Sequence, residues 1–283
     1  MAKKKSIKTL VDDIYKVFEE YQSPSQEDLD TFSKNITEIV SSRISERRER
    51  KQHLRLSQIG TPNRKLWYSM NTDQSEILSG QDRLKFMYGD LLEELLNLLI
   101  KTSGHKIEDL QKELKIDGVV GHQDCTIDGV VTDIKSASSF ATKKFTDGSI
   151  LRGNDPFGYV AQISAYAESQ KQTKAAFLVI NKENAALHLL ELDFFDMINA
   201  TDRVKELKQV VKNDIPPEKC YEDQAEGMSG NRVLNMHCSW CPYKFTCWSD
   251  VNNGTGLRVF KYAKGQRYFT NVSKEPNVQE ITC

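Results

Sequence analysis

No apolar run in this 283-residue chain approaches the length of a membrane span, and the chain has no internal repeat and no low-complexity tract. A helical membrane protein and a repeat architecture are thereby excluded as readings of the whole. Charge of one sign is also missing: 39 Lys and Arg stand against 40 Asp and Glu, a formal net charge of −1. Without a global basic field, any contact with nucleic acid has to come from local clusters. The lysine-rich start AKKKSIK lacks the apolar segment of a signal peptide. The expectation is therefore a soluble cytoplasmic protein with no membrane partner. With 39% hydrophobic and 28% charged residues, the chain can build one large domain or two small ones.

The most informative stretch is GHQDCTIDGVVTDIKS, residues 121–136. Asp128-Gly129 is a two-residue hairpin turn signal between β-branched flanks. In that register Ile127 faces Val130, Asp124 lies across from Asp133, and His122 lies across from Lys135. Alternation along a strand then puts Asp124, Asp133 and Lys135 on one face. Two carboxylates opposed at roughly 5 Å destabilise a sheet. A divalent cation between them removes the repulsion, and a lysine alongside suits phosphate chemistry. Cys125 points the other way, into the core.

Around this hairpin the chain reads as follows. Residues 6–55 are helical and polar, with a basic run (Arg43, Arg47, Arg48, Arg50, Lys51, His53, Arg55) that is either a solvated face or a nucleic-acid contact. Thr61-Pro62-Asn63 opens a turn or a helix start, with Arg64 near the helix N-terminus. Residues 82–101 form a strong helix whose core face is read as Leu84, Met87, Leu91, Leu95 and Leu98. Gly89 within it costs about 1 kcal/mol relative to alanine and marks a close approach, and Glu93 lies one turn on. After the hairpin, ATKKFTDGSILRGNDPFG reads as a long loop carrying Lys143, Lys144 and Arg152. Residues 157–170 form a helix with Tyr159, Gln162 and Tyr166 on one face. Strands at 175–181 and 186–192 make a second hairpin, a polar helix runs from about 196 to 212, and Pro216-Pro217 introduces a cysteine-rich region.

There, Cys238, Cys241 and Cys247 give C-x2-C-x5-C, with Cys220 upstream. Thiolates two residues apart converge on one ion, and four sulfurs suit either tetrahedral zinc or a [4Fe–4S] cluster. Reduced buried cysteines without metal are the plain alternative. Cys283 is uninformative.

Taken in order, Gly89-x3-Glu93, Gly121-x2-Asp124, Asp133-Ile134-Lys135 and Gln162-x3-Tyr166 resemble the PD-(D/E)XK nuclease superfamily. The pattern looks most like its RecB-type exonuclease branch, which carries a Q-x3-Y helix after the catalytic lysine. The cysteine tail is similar to the iron–sulfur staple of that branch, found in CRISPR adaptation exonucleases and bacterial helicase–nucleases. Small phage-encoded exonucleases are nearest in size and layout. The likeness spans about residues 57–247. Three departures stand out: Thr61-Pro62 occupies the place of the first staple cysteine, Glu93 stands where many members have histidine, and Gln123 precedes Asp124 where the superfamily motif has proline.

The resemblance implies an α/β restriction-endonuclease-like core, a mixed β-sheet flanked by helices, at residues 56–215. A helical region (1–55) would precede it and a cysteine-stapled region (216–283) follow. It implies a metal-dependent DNA exonuclease of phage recombination, repair or degradation, acting in the host cytoplasm if phage-encoded. Asp124, Asp133, Glu93 and the Ile134 carbonyl would hold Mg²⁺ or Mn²⁺, and Lys135 would orient the attacking water. Gln162 and Tyr166 would position the phosphate or the lysine. Arg64, Lys143, Lys144 and Arg152 would neutralise the DNA backbone. Cys220, taking the displaced position, would join Cys238, Cys241 and Cys247 around [4Fe–4S], with Zn²⁺ the alternative. A single-strand annealing or other recombination protein is the implied protein partner. Two further readings share the motif set: a structure-specific endonuclease, and a non-catalytic DNA-binding recombination scaffold that keeps the fold. Intact Asp124, Asp133 and Lys135 favour an enzyme over the scaffold.

Overall fold

A computed structural model describes residues 5–45, 53–74 and 78–281. Arg47, Arg48, Arg50 and Lys51 of the basic run, and Cys283, lie outside the described residues. The chain forms two compact units, Met1–Gly60 with Ile77–Lys208, and Thr61–Glu76 with Gln209–Cys283. No helix among the described residues is long and apolar enough to cross a membrane.

In the first unit the helices are α1 (Leu10–Glu19) and α2 (Gln26–Ser45), and in the second α3 (Asn63–Asn71). The first unit continues with α4 (Gly80–Thr102), then strands β1 (Ile107–Glu108), β2 (Glu113–Ile116), β3 (Val119–His122), β4 (Cys125–Ile127) and β5 (Val130–Ala137). Helices α5 (Ser139–Thr146) and α6 (Tyr159–Ser169) cross over to β6 (Ala175–Asn181) and β7 (Leu187–Leu192), and α7 (Ala200–Val210) follows. Five strands form a sheet in the order β1-β4-β5-β6-β7. β5 and β6 are parallel, and the other neighbours are antiparallel. Because β6 is central its seven residues are all buried, and alternation sends them to two cores. Ala176, Leu178 and Ile180 meet Leu10 and Ile14 of α1 and Leu96 and Ile100 of α4. Phe177 and Val179 meet Phe145 of α5 and Ile163 and Ala167 of α6. The unit is an α/β restriction-endonuclease-like core, a mixed sheet with helices on both faces.

Local chemistry explains the pieces. Ser79 caps α4 by accepting from the Asp82 N–H. Its leucines surround the helix in LLEELLNLLI, so spacing alone does not select a face. Leu84 (60% exposed) and Leu95 (36%) point outward, and Leu92, Leu96, Leu99 and Ile100 form the contact. Gly89 meets a side chain, Ser136, whose Oγ would lie 3.4 Å from an added Cβ. The supposed loop after β5 is largely helical: Ser138 caps α5, and Phe145 and Ile150 anchor it in the core.

The second unit pairs α3 with strands β8 (Gln224–Ala225), β9 (Arg232–Val233), β10 (Arg258–Tyr262), β11 (Gly265–Asn271) and β12 (Glu280–Ile281). They form an antiparallel sheet in the order β12-β10-β11-β9-β8. Short helices α8 (Met236–Ser239) and α9 (Lys244–Cys247) carry Cys238 and Cys247, with Cys241 between them.

Candidate active site

The Asp128-Gly129 turn has positive φ at both residues (50° and 86°), the type I′ geometry whose twist suits a hairpin. The ladder then runs Ile127↔Val130, Thr126↔Val131, Cys125↔Thr132. One step further Asp124 leaves the sheet, and its side chain replaces the missing ladder bond: Oδ2 accepts from the Ile134 N–H at 2.8 Å. His122 is not opposite Lys135, as the extended hairpin predicts. It belongs to β3, which pairs with β2, and it faces Glu113. The break is held by Gln123, fully buried, whose amide donates to the Asp109 carbonyl (3.2 Å) and Thr126 Oγ1 (3.1 Å) and accepts from Gln170. Gln123 thus fixes the bend by hydrogen bonding.

Asp133 is 1% exposed. Its Oδ1 takes a long contact from Gln162 Nε2 (3.5 Å), and Gln162 also donates to Tyr166 OH at 3.1 Å. Its Oδ2 lies 2.6 Å from Lys135 Nζ, a close buried ion pair. Glu93, on α4, is held by Gln111 Nε2 at 3.0 Å. Burial, and then the charge on Asp133, push Glu93 up to about 7. The same causes in the same order raise Asp124 well above the carboxylate range. Burial works against the charge on Lys135, but Asp133 and Asp124 outweigh it and keep the ammonium protonated. Tyr159 lies under that ammonium, Nζ to ring centre 4.9 Å.

The structure therefore brings Glu93, Asp124, Asp133, Ile134, Lys135, Gln162 and Tyr166 together. Lys143 and Arg152 are exposed beside them in sequence, on α5 and the turn after it, and Lys144 is half-buried. Arg64 is elsewhere, in the second unit. Gln111 and Gln123 are site residues that sequence reasoning missed. Gln111 sits in a turn at φ 51°, eighteen residues from its partner, and no local pattern signals that contact.

Three acids against one lysine, all hard oxygen donors and two of them raised in pKa, fit a divalent cation. Among the described residues, no three His, Cys, Asp or Glu side chains already converge as a finished metal cage. Each of these carboxylates spends an oxygen on a protein donor instead.

In the second unit, Cys220, Cys238, Cys241 and Cys247 line one cavity of about 40 Å³ with Arg64 and Tyr68. All four are free thiols. Arg64 Nε donates to Cys247 Sγ at 3.1 Å, with further contacts to the Pro217 carbonyl and Tyr68 OH. Burial, then Cys241, Cys247 and Cys220, push Cys238 up to about 12, and burial also raises Cys241 and Cys247. Sulfur-only ligands are compatible with either zinc or an iron–sulfur cluster, but among the described residues these four cysteines do not converge as a finished metal-binding group.

No family model matches the sequence, and no curated protein matches it. Among solved structures the chain is similar to the crystal structure of SSO0001, at 14% identity and TM-score 0.44, over 76% of this chain and 95% of that one. It is also similar to an alkaline exonuclease, LHK-Exo from Laribacter hongkongensis, at 14% identity and TM-score 0.37, over 57% and 85%.

Proposed function

We propose that the first unit is a Mg²⁺- or Mn²⁺-dependent deoxyribonuclease that removes nucleotides from DNA ends, in recombination, repair or degradation of DNA such as that of a phage. The observation that supports this is the charge balance of the cluster: Glu93, Asp124 and Asp133 share one close lysine, 2.6 Å from Asp133, and two of the three carboxyls are raised in pKa. Glu93, Asp124, Asp133 and the Ile134 carbonyl would hold the cation. When bound, such a cation supplies Lewis acidity toward a phosphate oxygen and lowers the pKa of a water. Lys135 presents a fixed positive charge to the negative charge that develops on phosphorus. Gln162 holds Asp133 in place, and Tyr166 holds Gln162. Lys143, Lys144 and Arg152 offset backbone phosphates.

In the second unit the four cysteines would bind a [4Fe–4S] cluster, with zinc as the alternative. The working partners on this reading are DNA and a single-strand annealing or other recombination protein, in the cytoplasm. The test uses end-labelled linear and covalently closed circular DNA with Mg²⁺, Mn²⁺ or EDTA. Linear DNA is shortened from its ends, circles survive, and EDTA stops the reaction. Asp124→Ala, Asp133→Ala and Lys135→Ala each lower the rate by about a hundredfold or more, as for groups acting as a unit. Undiminished cleavage in EDTA or in these variants refutes the reading, and rapid nicking of circles makes the enzyme an endonuclease.

A further inference from the structure

The turn that leads into α6 holds an aromatic ring out into water. Phe157 is 66% exposed, yet its ring stacks on Tyr159 with centres 5.4 Å apart and planes at 25°. Tyr159 stacks in turn on Phe145 (6.4 Å, 25°), which is 2% exposed, and carries Lys135 Nζ over its ring. A column of three aromatic rings thus runs from the core, past the lysine of the acid cluster, to solvent.

The column is held rigidly. Asp155 accepts from the Gly158 N–H (2.9 Å) and the Val160 N–H (2.8 Å). Gly158 sits at φ +76°, so close to Gly60 that a Cβ on it would lie 2.4 Å from the Gly60 Cα. Phe157 thus has one face backed by Tyr159 and presents the other to solvent.

We propose that Phe157 is a stacking platform for an unpaired nucleobase at a DNA end, so that the site takes single-stranded DNA. This rests on the nuclease reading above and names its substrate class. Inside a duplex, bases stack on one another and offer no free face; an unpaired terminal base offers one. Stacked on Phe157, such a base places its strand beside the Lys135 column. Lys143 and Arg152, exposed on neighbouring elements, suit the accompanying backbone.

The experiment measures binding in EDTA, where nothing is cut, to single-stranded oligonucleotides carrying 2-aminopurine at successive positions from one end, with a blunt duplex as comparator. Phe157→Ala weakens single-strand binding by about 5- to 150-fold, the range for one lost base–aromatic stack. It also relieves 2-aminopurine quenching at one position, and Phe157→Trp restores both. An abasic residue at that position weakens binding to the parent protein, and Phe157→Ala adds no further loss, because the two changes remove one contact. Unchanged affinity and quenching in Phe157→Ala, or additive losses, overturn the platform. A parallel cleavage assay with Mg²⁺ separates the two readings. If the parent cleaves and Asp133→Ala does not, a null result at Phe157 sinks the platform alone. If Asp133→Ala cleaves like the parent, the nuclease reading falls whatever Phe157 does.

Discussion

Glu93→Gln should stabilise the metal-free protein, and only at the alkaline end. Burial and the neighbouring Asp133 charge raise the Glu93 carboxyl from 4.5 to about 7. The folded state therefore keeps a proton that the unfolded chain releases between these values, and stability falls as pH rises through that window. A shift of this size corresponds to about 3 kcal/mol, trimmed to roughly 2–3 kcal/mol by partial solvent access. Glutamine is isosteric and its amide oxygen still accepts from Gln111, so the hydrogen bond survives while the charge goes. Urea or thermal unfolding in EDTA should show parent and variant nearly alike at pH 4. At pH 8 the variant should unfold about 5–10 °C higher, for a unit of this size. Adding Mg²⁺ at pH 8 should raise the parent and close part of the gap, since the cation replaces the missing proton. A variant no more stable than the parent at pH 8 refutes the electrostatic account of the cluster.

Other outcomes follow from other contacts. His105 has no exposed side-chain surface and bridges Asp128 (2.6 Å) and Asp13 (3.2 Å), tying the hairpin turn to α1. His105→Ala should cost about 1–3 kcal/mol in urea unfolding, because it removes one buried partner from each carboxylate, while Asp13 keeps Lys5, Thr9 and Lys16 and Asp128 keeps the Lys106 N–H. Burial alone would raise Asp13, but Lys5, Thr9 and Lys16 prevail and hold it well below the usual range. The contribution of Asp13 should therefore be full at neutral pH and lost on acidification below about pH 4. Gly158→Ala forces a Cβ against the Gly60 backbone at positive φ and should destabilise by about 2–4 kcal/mol in the same assay, whereas Gly129→Ala meets open space and should cost only its backbone strain, about 1 kcal/mol. Protein purified without oxygen should be brown, absorbing broadly near about 400 nm if the cysteines hold iron and sulfide. Colourless protein with one zinc keeps the ligands and changes the metal.

What the sequence made legible followed from chemistry that acts within a few residues. Asp128-Gly129 reads as a turn because both positions need positive φ, and Asp117-Gly118 carries the same signal at 44° and 80° although it went unread. The α4 helix was plain from composition, but its buried face was not, since leucine on every side leaves tertiary packing to choose. Asp124 leaves the ladder because of Gln123, whose partners Asp109 and Gln170 lie 14 and 47 residues away. The antiparallel sheet of the second unit was missed for a similar reason. Its buried residues, Val259, Phe260 and Phe269, sit in two short strands, and the cysteines next to them dominated the pattern.

That sheet changes how the cysteines should be understood. A region with little core of its own would need metal ligation to fold, at about 10 kcal/mol for structural zinc in small peptides. Here Phe260 and Phe269 pack edge to face 4.9 Å apart beneath a five-stranded sheet, so part of the folding free energy is already apolar. The cysteine cavity then resembles the acid cluster in its electrostatics. Desolvation holds protons on Glu93 and Asp124 in one and on Cys238 in the other. Lys135 touches the acids and Arg64 touches Cys247, with Lys65 and Lys244 also lining the cysteine cavity, and even so the desolvated groups keep their protons. On the proposed reading a metal centre would supply the remaining positive charge in both, and ligand softness would sort the two: carboxylates for Mg²⁺ or Mn²⁺, thiolates for iron–sulfur or zinc. Serine at all four cysteines should consequently abolish the soft centre and loosen α8 and α9, while β10 and β11 keep their pairing. Amide exchange resolves the two outcomes, and loss of protection throughout the sheet would mean that the metal, not the phenylalanines, holds the second unit together.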